Sequence, residues 1–271
     1  MASADFGSVV YPFDQSVEAM TIPSHTNINS VLIRPRASRV GRWLVMVIFL
    51  VWATGTIANF LIHVVIAEPE SDFVTVLNRF DLGHEPSIPA YFSALLLLTS
   101  AVVLFFLARM DPEHQRRRNW AFLSLIMLIL SVDEAVMFHE MGDAAMRMTP
   151  LGDWLYFAWV IPGATVALAV AIINARFLWR LPTRTGQLMV LSGAVFVGGA
   201  IGMEMVASAI FSMAEDEIAA QATLSHILSQ SIEELLEMLG TGIFLFSLFD
   251  YIEASGLRIR LHYVGTGDEN D

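Results

Sequence analysis

The chain has 271 residues, is 55% hydrophobic with a mean hydropathy of +0.60, and carries a net charge of −12. Apolar runs of about 20 residues match the length a helix needs to cross the hydrocarbon core and mark a polytopic membrane protein. The acidic balance offers no basic stripe for nucleic acid and no nucleotide motif is present; the absence of cysteine excludes disulfides, thiolate ligands and haem attached through Cys, so any metal must be held by oxygen and imidazole.

Residues 1–40 are read as an N-terminal cytoplasmic segment, with no charged n-region leading into a short apolar core, which argues against a cleaved signal peptide. Residues 41–252 are read as an all-α integral membrane bundle of six transmembrane helices. The predicted spans are Trp43 to Ile66, Ile88 to Leu107, Trp120 to Glu140, Trp154 to Trp179, Gln187 to Phe211 and His226 to Phe249. Between the first two, Phe73, Val76, Leu77 and Phe80 fall at helical spacing and predict a short interfacial helix that lids a site. Pro162 predicts a kink in the fourth span, whose end carries Trp154, Tyr156 and Trp159 as an aromatic belt. Residues 253–271 are read as a C-terminal cytoplasmic tail. No internal repeat suggests a transporter built from inverted halves.

All 15 basic residues are arginine. Arg34, Arg36, Arg39 and Arg42 precede the first span, Arg109, Arg116, Arg117 and Arg118 join the second to the third, Arg176, Arg180 and Arg184 the fourth to the fifth, and Arg258 and Arg260 follow the sixth. Only Arg79 and Arg147 fall on the other side, with the acidic loops. The positive-inside rule then puts both termini in the cytoplasm.

Seven carboxylates lie within the predicted spans, with no arginine among them: Asp133, Glu134 and Glu140 in the third, Glu204 in the fifth, and Glu233, Glu234 and Glu237 in the sixth. At roughly 2.5 to 3.5 kcal/mol each on insertion scales, they would cost on the order of 20 kcal/mol uncompensated, more than the net stability of a domain. Cations, protons or a water-filled cavity must neutralise them. With a rise of about 1.5 Å per residue, the three helices deliver these acids to one depth in the outer, periplasmic half. His63, His139 and His226 form a shallower tier at the helix ends.

On the sixth span His226, Gln230, Glu233, Glu234, Glu237 and Thr241 fall within an arc of about 100°. On the first, Thr56, Asn59 and His63 make a shorter stripe. Glu134 and His139 are about 140° apart on an ideal helix and converge only if a π-bulge or an unwound turn intervenes, as such departures do at functional sites. Gly198, Gly199 and Gly202 beside Glu204 predict close packing of the fifth helix.

The strings FDLGHEPSIPAYFSALLLL, SVDEAVMFHE and EELLEMLG, in this order and spacing, resemble a group of bacterial multipass membrane proteins of unknown function that carry SxDExxxxHE and EExxEMxG motifs. The resemblance covers residues 80–245 and implies that Glu85, Asp133, Glu134, His139, Glu140, Glu233, Glu234 and Glu237 form one constellation. It lends no activity, and Glu204 joins them on topology alone.

Carboxylates and histidines projecting inward from facing helices are how di-iron and di-manganese bundles are built, although their usual Glu-x-x-His pairs do not occur here. The expected metal ligands are Glu134, His139, Glu204, Glu233 and Glu237. Asp133, Glu140, Glu234, His226, Gln230, His63 and Glu85 are expected to support them or handle protons. Oxygen donors favour iron or manganese and admit zinc. A metal-dependent membrane enzyme acting on a lipid-soluble substrate follows. The alternatives are a proton- or cation-coupled transporter, disfavoured by apolar inner halves that offer no polar route, and a scaffold subunit of a membrane complex. Met137, Met203, Met205 and Met238 are read as packing residues.

Overall fold

A computed structural model describes residues 28–33, 36–66, 71–84, 86–146, 148–149, 156–214, 220–257 and 259–264. The chain divides into two compact units, residues 34–257 and a unit formed by the segments on either side. In the latter, β1 (Ile28–Ile33) pairs antiparallel with β2 (Ile259–Val264), with Ile28 opposite Val264 and Ile33 opposite Ile259. No strand was expected there. The pairing joins the segment before the first span to the one after the last.

The larger unit is helical. Its described residues include six helical spans long and apolar enough to cross a membrane: Ala37–Val65, Ile88–Met110, His114–Val136, Val160–Leu178, Thr183–Met213 and Leu224–Ala254. They correspond to the six expected from the apolar runs. The first comprises α1 (Ala37–Phe60) and a π-helical turn, Leu61–Val65. The short helix α2 (Asp72–Leu77) follows, opened by Ser71, whose Oγ accepts the Val74 N–H. Its Phe73 and Val76 face outward while Val74 is buried, as suits an element lying on an interface. The second span is α3 (Ile88–Met110), capped by Ser87 with proline in its first turn, where a missing N–H costs nothing.

α4 (His114–Val136) packs along α3 as an antiparallel hairpin. Ser124 and Ser131 donate to the carbonyls of Ala101 and Ala94, each at 2.8 Å, the polar bonding that holds helices together where lipid removes the hydrophobic drive. The third span does not run on to Glu140 as one helix. Met137 takes the left-handed conformation (φ 62°, ψ 39°), which stops α4 and starts α5 (Phe138–Met146). α6 (Val160–Leu178) starts two residues before Pro162. The expected kink is therefore a helix start, because proline is tolerated in a first turn.

The fifth span is α7 (Thr183–Val197), a second π-helical turn (Gly198–Met203) and α8 (Glu204–Met213). The sixth, α9 (Leu224–Ala254), is the central helix and packs against α1, α3 and the fifth span. A Cβ on Gly240 would come within 2.6 Å of the Phe196 backbone nitrogen, and one on Gly199 within 3.0 Å of Glu233 O and Glu237 Cγ. These two glycines let α9 and the fifth span approach. Gly198 and Gly202, expected to do the same, face open space.

At the arginine-rich end, acids are paired. Asp111 is fully buried and accepts from Arg116 Nε at 3.0 Å, Trp120 Nε1 at 3.1 Å, the Glu113 N–H at 2.9 Å and Tyr251 OH at 2.7 Å. Trp120 stands edge-on to Phe177, with ring centroids 4.7 Å apart, within a core that includes Leu104, Leu248 and Met238. Asp250 accepts from Thr185 Oγ1 at 3.1 Å and lies 3.3 Å from Arg184 Nε. Burial alone would raise the Asp111 carboxyl, but the hydrogen bonds from Arg116, Tyr251, Glu113 and Trp120 together hold it below the usual carboxylate range.

Candidate functional site

The other end of the bundle carries acids from the third, fifth and sixth spans. Glu204 opens α8 directly after the π-helical turn, and its carboxyl is hydrogen-bonded to that of Glu233 on α9. Glu237 and Glu234 lie near enough to interact electrostatically with Glu233. Trp159, immediately before α6, donates Nε1–H to Glu204 Oε1 at 3.2 Å. The aromatic belt expected there is thus partly a set of site residues: Tyr156 and Trp159 line the same cavity as the acids. Trp154 lies outside the described residues.

The break at Met137 reorganises the third span. Once the helix stops, Asp133 Oδ1 accepts the His139 N–H at 3.0 Å, and Asp133 Oδ2 lies 3.0 Å from His139 Nδ1. One carboxylate therefore caps α5 and orients the imidazole, the arrangement by which a carboxylate fixes a ligating histidine. The His139 ring also rests on Trp159, centroids 5.3 Å apart. The unwound turn that the sequence requires if Glu134 and His139 are to share a site is present.

All of these residues face one cavity of about 1,920 Å³ between the third, fourth, fifth and sixth spans. Asp133, Glu134, His139, Glu204, Glu233, Glu234 and Glu237 line it. Its remaining walls are mostly apolar, from α4, α6, α7 and α9, and no arginine is among the described lining residues. Delivery of the acids to one depth implies that the third span packs with the fifth and sixth around them. That span packs on α3 instead, so the donors of α4 and those of α9 stand on separate walls. Among the described residues no three His, Asp or Glu side chains are grouped closely enough to hold a metal ion.

A second, smaller cavity of about 330 Å³ adjoins the first. His63, His84, Asp81, Asn78, His226 and Gln230 line it, and His226 and Gln230 line both cavities. The stripe on α1 meets the stripe on α9 here: Asn59 Nδ2 donates to Gln230 Oε1 at 2.8 Å, and Thr56 Oγ1 is 2.6 Å from Ser231 Oγ. Gly83 lies so close over the Gln230 amide that a side chain would collide with it. Val74 and Asn78 complete the wall, so α2 and the loop after it do cover a polar chamber. Asp81 Oδ2 lies 4.0 Å from His63 Nε2. Burial pushes the Asp81 carboxyl above the usual range, against the pull of the Gly83 N–H and of His63 and His84.

The expected tier of three histidines is divided: His139 belongs with the carboxylates, His63 with the smaller chamber, and His226 stands between them. His226 is half-buried and packs edge-on to Phe211, centroids 5.1 Å apart, so it is not at a wet margin. Glu85 and the side chain of Glu140 lie outside the described residues. Asp81 and His84 were not singled out from sequence, and Trp159 was read only as a belt aromatic. A signal existed only for the first two, in the string FDLGHEP.

No curated protein and no solved structure matches the chain. Over residues 43–252, essentially the whole bundle, it matches the model of a domain of unknown function, DUF8692, and the chain belongs to that family.

Proposed function

We propose that this protein is a multi-pass enzyme of a bacterial inner membrane that acts on a lipid-soluble substrate at a carboxylate–histidine cluster holding a divalent cation, in the periplasmic half of the bundle. One observation carries this reading: a single large cavity is lined by six acids and two histidines and otherwise by mostly apolar walls, with no arginine among the described lining residues. The acids need positive charge, and the apolar walls suit hydrocarbon.

Glu134, His139, Glu204, Glu233 and Glu237 would hold the ion, iron or manganese before zinc. When bound, it would supply a Lewis-acid or redox centre. In donor chemistry the residues fit; in spacing they are not gathered, so holding an ion requires the side chains of α4 and α9 to move together. Asp133 orients His139, Trp159 holds Glu204, and the apolar walls exclude water.

A proton or cation pathway is the second reading, favoured by the hydrogen bond between Glu204 and Glu233 and by Asn174, Gln187 and Ser192 lining the cavity farther along. Those three also temper the expectation of wholly apolar inner halves. Chelation separates the readings. An ion-holding cluster loses several degrees of thermal midpoint on chelation near neutral pH and less in acid, where protons take the ion's place. A midpoint indifferent to chelator across that range favours the proton pathway or a scaffold subunit.

A further inference from the structure

The cavity is about twice the upper size of ordinary small-molecule pockets, which run to roughly 1,000 Å³. Rows of small side chains line it from two sides, Ala167 and Ala171 on α6 and Gly193 and Ala194 on α7. In membranes such rows normally let helices close into contact. Here they stand apart: a Cβ on Gly193 would meet nothing within 4 Å. The space is not sealed either, since Leu168 and Val190 line it while 63% and 58% exposed. Both residues lie in the middle of apolar spans, so the opening faces hydrocarbon. Apolar walls gain dispersion contacts from the material that meets them, and in a bilayer the material on that side is alkyl chain.

We infer that the cavity takes the long alkyl chain of a single-chain amphiphile from the bilayer, seated between α6 and α7, with a hydrogen-bond-donating, non-anionic head, hydroxyl or amine, at the carboxylates. The head follows from hydrogen-bonding chemistry: Asp133, Glu134, Glu204, Glu233, Glu234 and Glu237 line the cavity, and a carboxylate accepts from hydroxyl or ammonium, whereas a sulfonate has nothing to donate. The inference rests on the reading that the cavity holds a lipid-soluble substrate, and it adds the shape and head chemistry of that substrate.

The test uses the full chain in nanodiscs of zwitterionic diacyl lipid, with three probes that share an alkyl chain bearing a diazirine near its end and differ in head: primary amine, alcohol and sulfonate. The amine and alcohol probes label peptides of α6 and α7 saturably, competed by the same molecules without diazirine, and the sulfonate does not. Gly193→Trp and Ala171→Phe, which fill the space, bring labelling to background while the thermal midpoint stays close to that of the parent. Equal labelling by the sulfonate overturns the head chemistry alone and leaves the proposed function standing. Saturable labelling that survives both filling variants overturns the seat between α6 and α7. No saturable labelling by any probe overturns the inference together with the substrate part of the proposed function, while metal content, measured on the same preparation, decides the ion part separately.

Discussion

Glu204 and Glu233, delivered by the fifth and sixth spans, are hydrogen-bonded to each other through their carboxyl groups. Asp111, at the other end of the bundle, is held by Arg116, Trp120 and Tyr251. One end of the bundle thus pairs a buried acid with Arg116, and the other brings two carboxyl groups together.

Glu233 and Glu237 sit one turn apart on the central helix and line the cavity. Replacing either with Gln keeps shape and hydrogen bonding but removes a charge, and is expected to cost most of the bound metal. Glu140→Gln, at the outer end of the third span as read from sequence, is expected to cost little. Metal analysis of the three variants checks this. Full metal in both of the first two, with loss in the third, places the ion nearer the helix ends.

Asp111→Asn weakens four hydrogen bonds at once and is expected to lower stability by about 1 to 3 kcal/mol, read as a fall in thermal midpoint at pH 7. Because the folded-state pKa of Asp111 is lowered, its contribution is complete above the unfolded value of about 3.9 and is lost as pH falls through the folded value. Asp81 has the opposite sign. Its raised carboxyl favours the folded state below the unfolded value, and that advantage disappears as pH rises through the folded one. Asp81→Asn is therefore expected to hold or raise the midpoint at pH 7, and Asp111→Asn to flatten the acid limb. A midpoint series from pH 3 to 8 reads both.

Gly240→Ala sets a methyl against the backbone of Phe196 and is expected to cost about 1 to 3 kcal/mol through overpacking. Gly202→Ala, with open space around it, is expected to change stability by less than about 0.5 kcal/mol. Thermal midpoints in one detergent compare them. Equal losses would mean that the contact between the fifth and sixth spans is not set by Gly240.

The six spans were legible because membrane crossing needs long apolar runs, and these stand out whatever their neighbours. The stripe on the sixth helix was legible for the same reason, since an acid in such a run has few explanations. Local departures from helical geometry were not. Met137 takes a left-handed conformation without the Gly or Asn that would announce it, and Leu61–Val65 forms a π-helical turn with neither Gly nor Pro in it. The Asp111 network escaped notice because Tyr251 is 140 residues away. Trp159 was read as an interfacial aromatic because its bond to Glu204 depends on how the fourth span leans on the fifth. The separation of the acids onto two walls was equally invisible, since depth along a helix says nothing about which neighbour that helix chooses.

The arginine asymmetry predicts the orientation. With no native cysteine to interfere, Arg118→Cys is expected to react with membrane-impermeant thiol reagents only from the cytoplasm, and Met148→Cys, exposed on the opposite loop, only from the periplasm. The reverse pattern would move the acids to the cytoplasmic half.

Elemental analysis of the purified chain, prepared without added metal or chelator, bears most directly on the carboxylate cluster. Iron or manganese, with zinc as the remaining candidate, is expected in at least stoichiometric amount and is expected to fall in Glu233→Gln. A preparation that folds, keeps its thermal midpoint and carries no divalent metal above background would show that protons alone neutralise Glu204, Glu233 and their neighbours, and would contradict the metal-dependent reading.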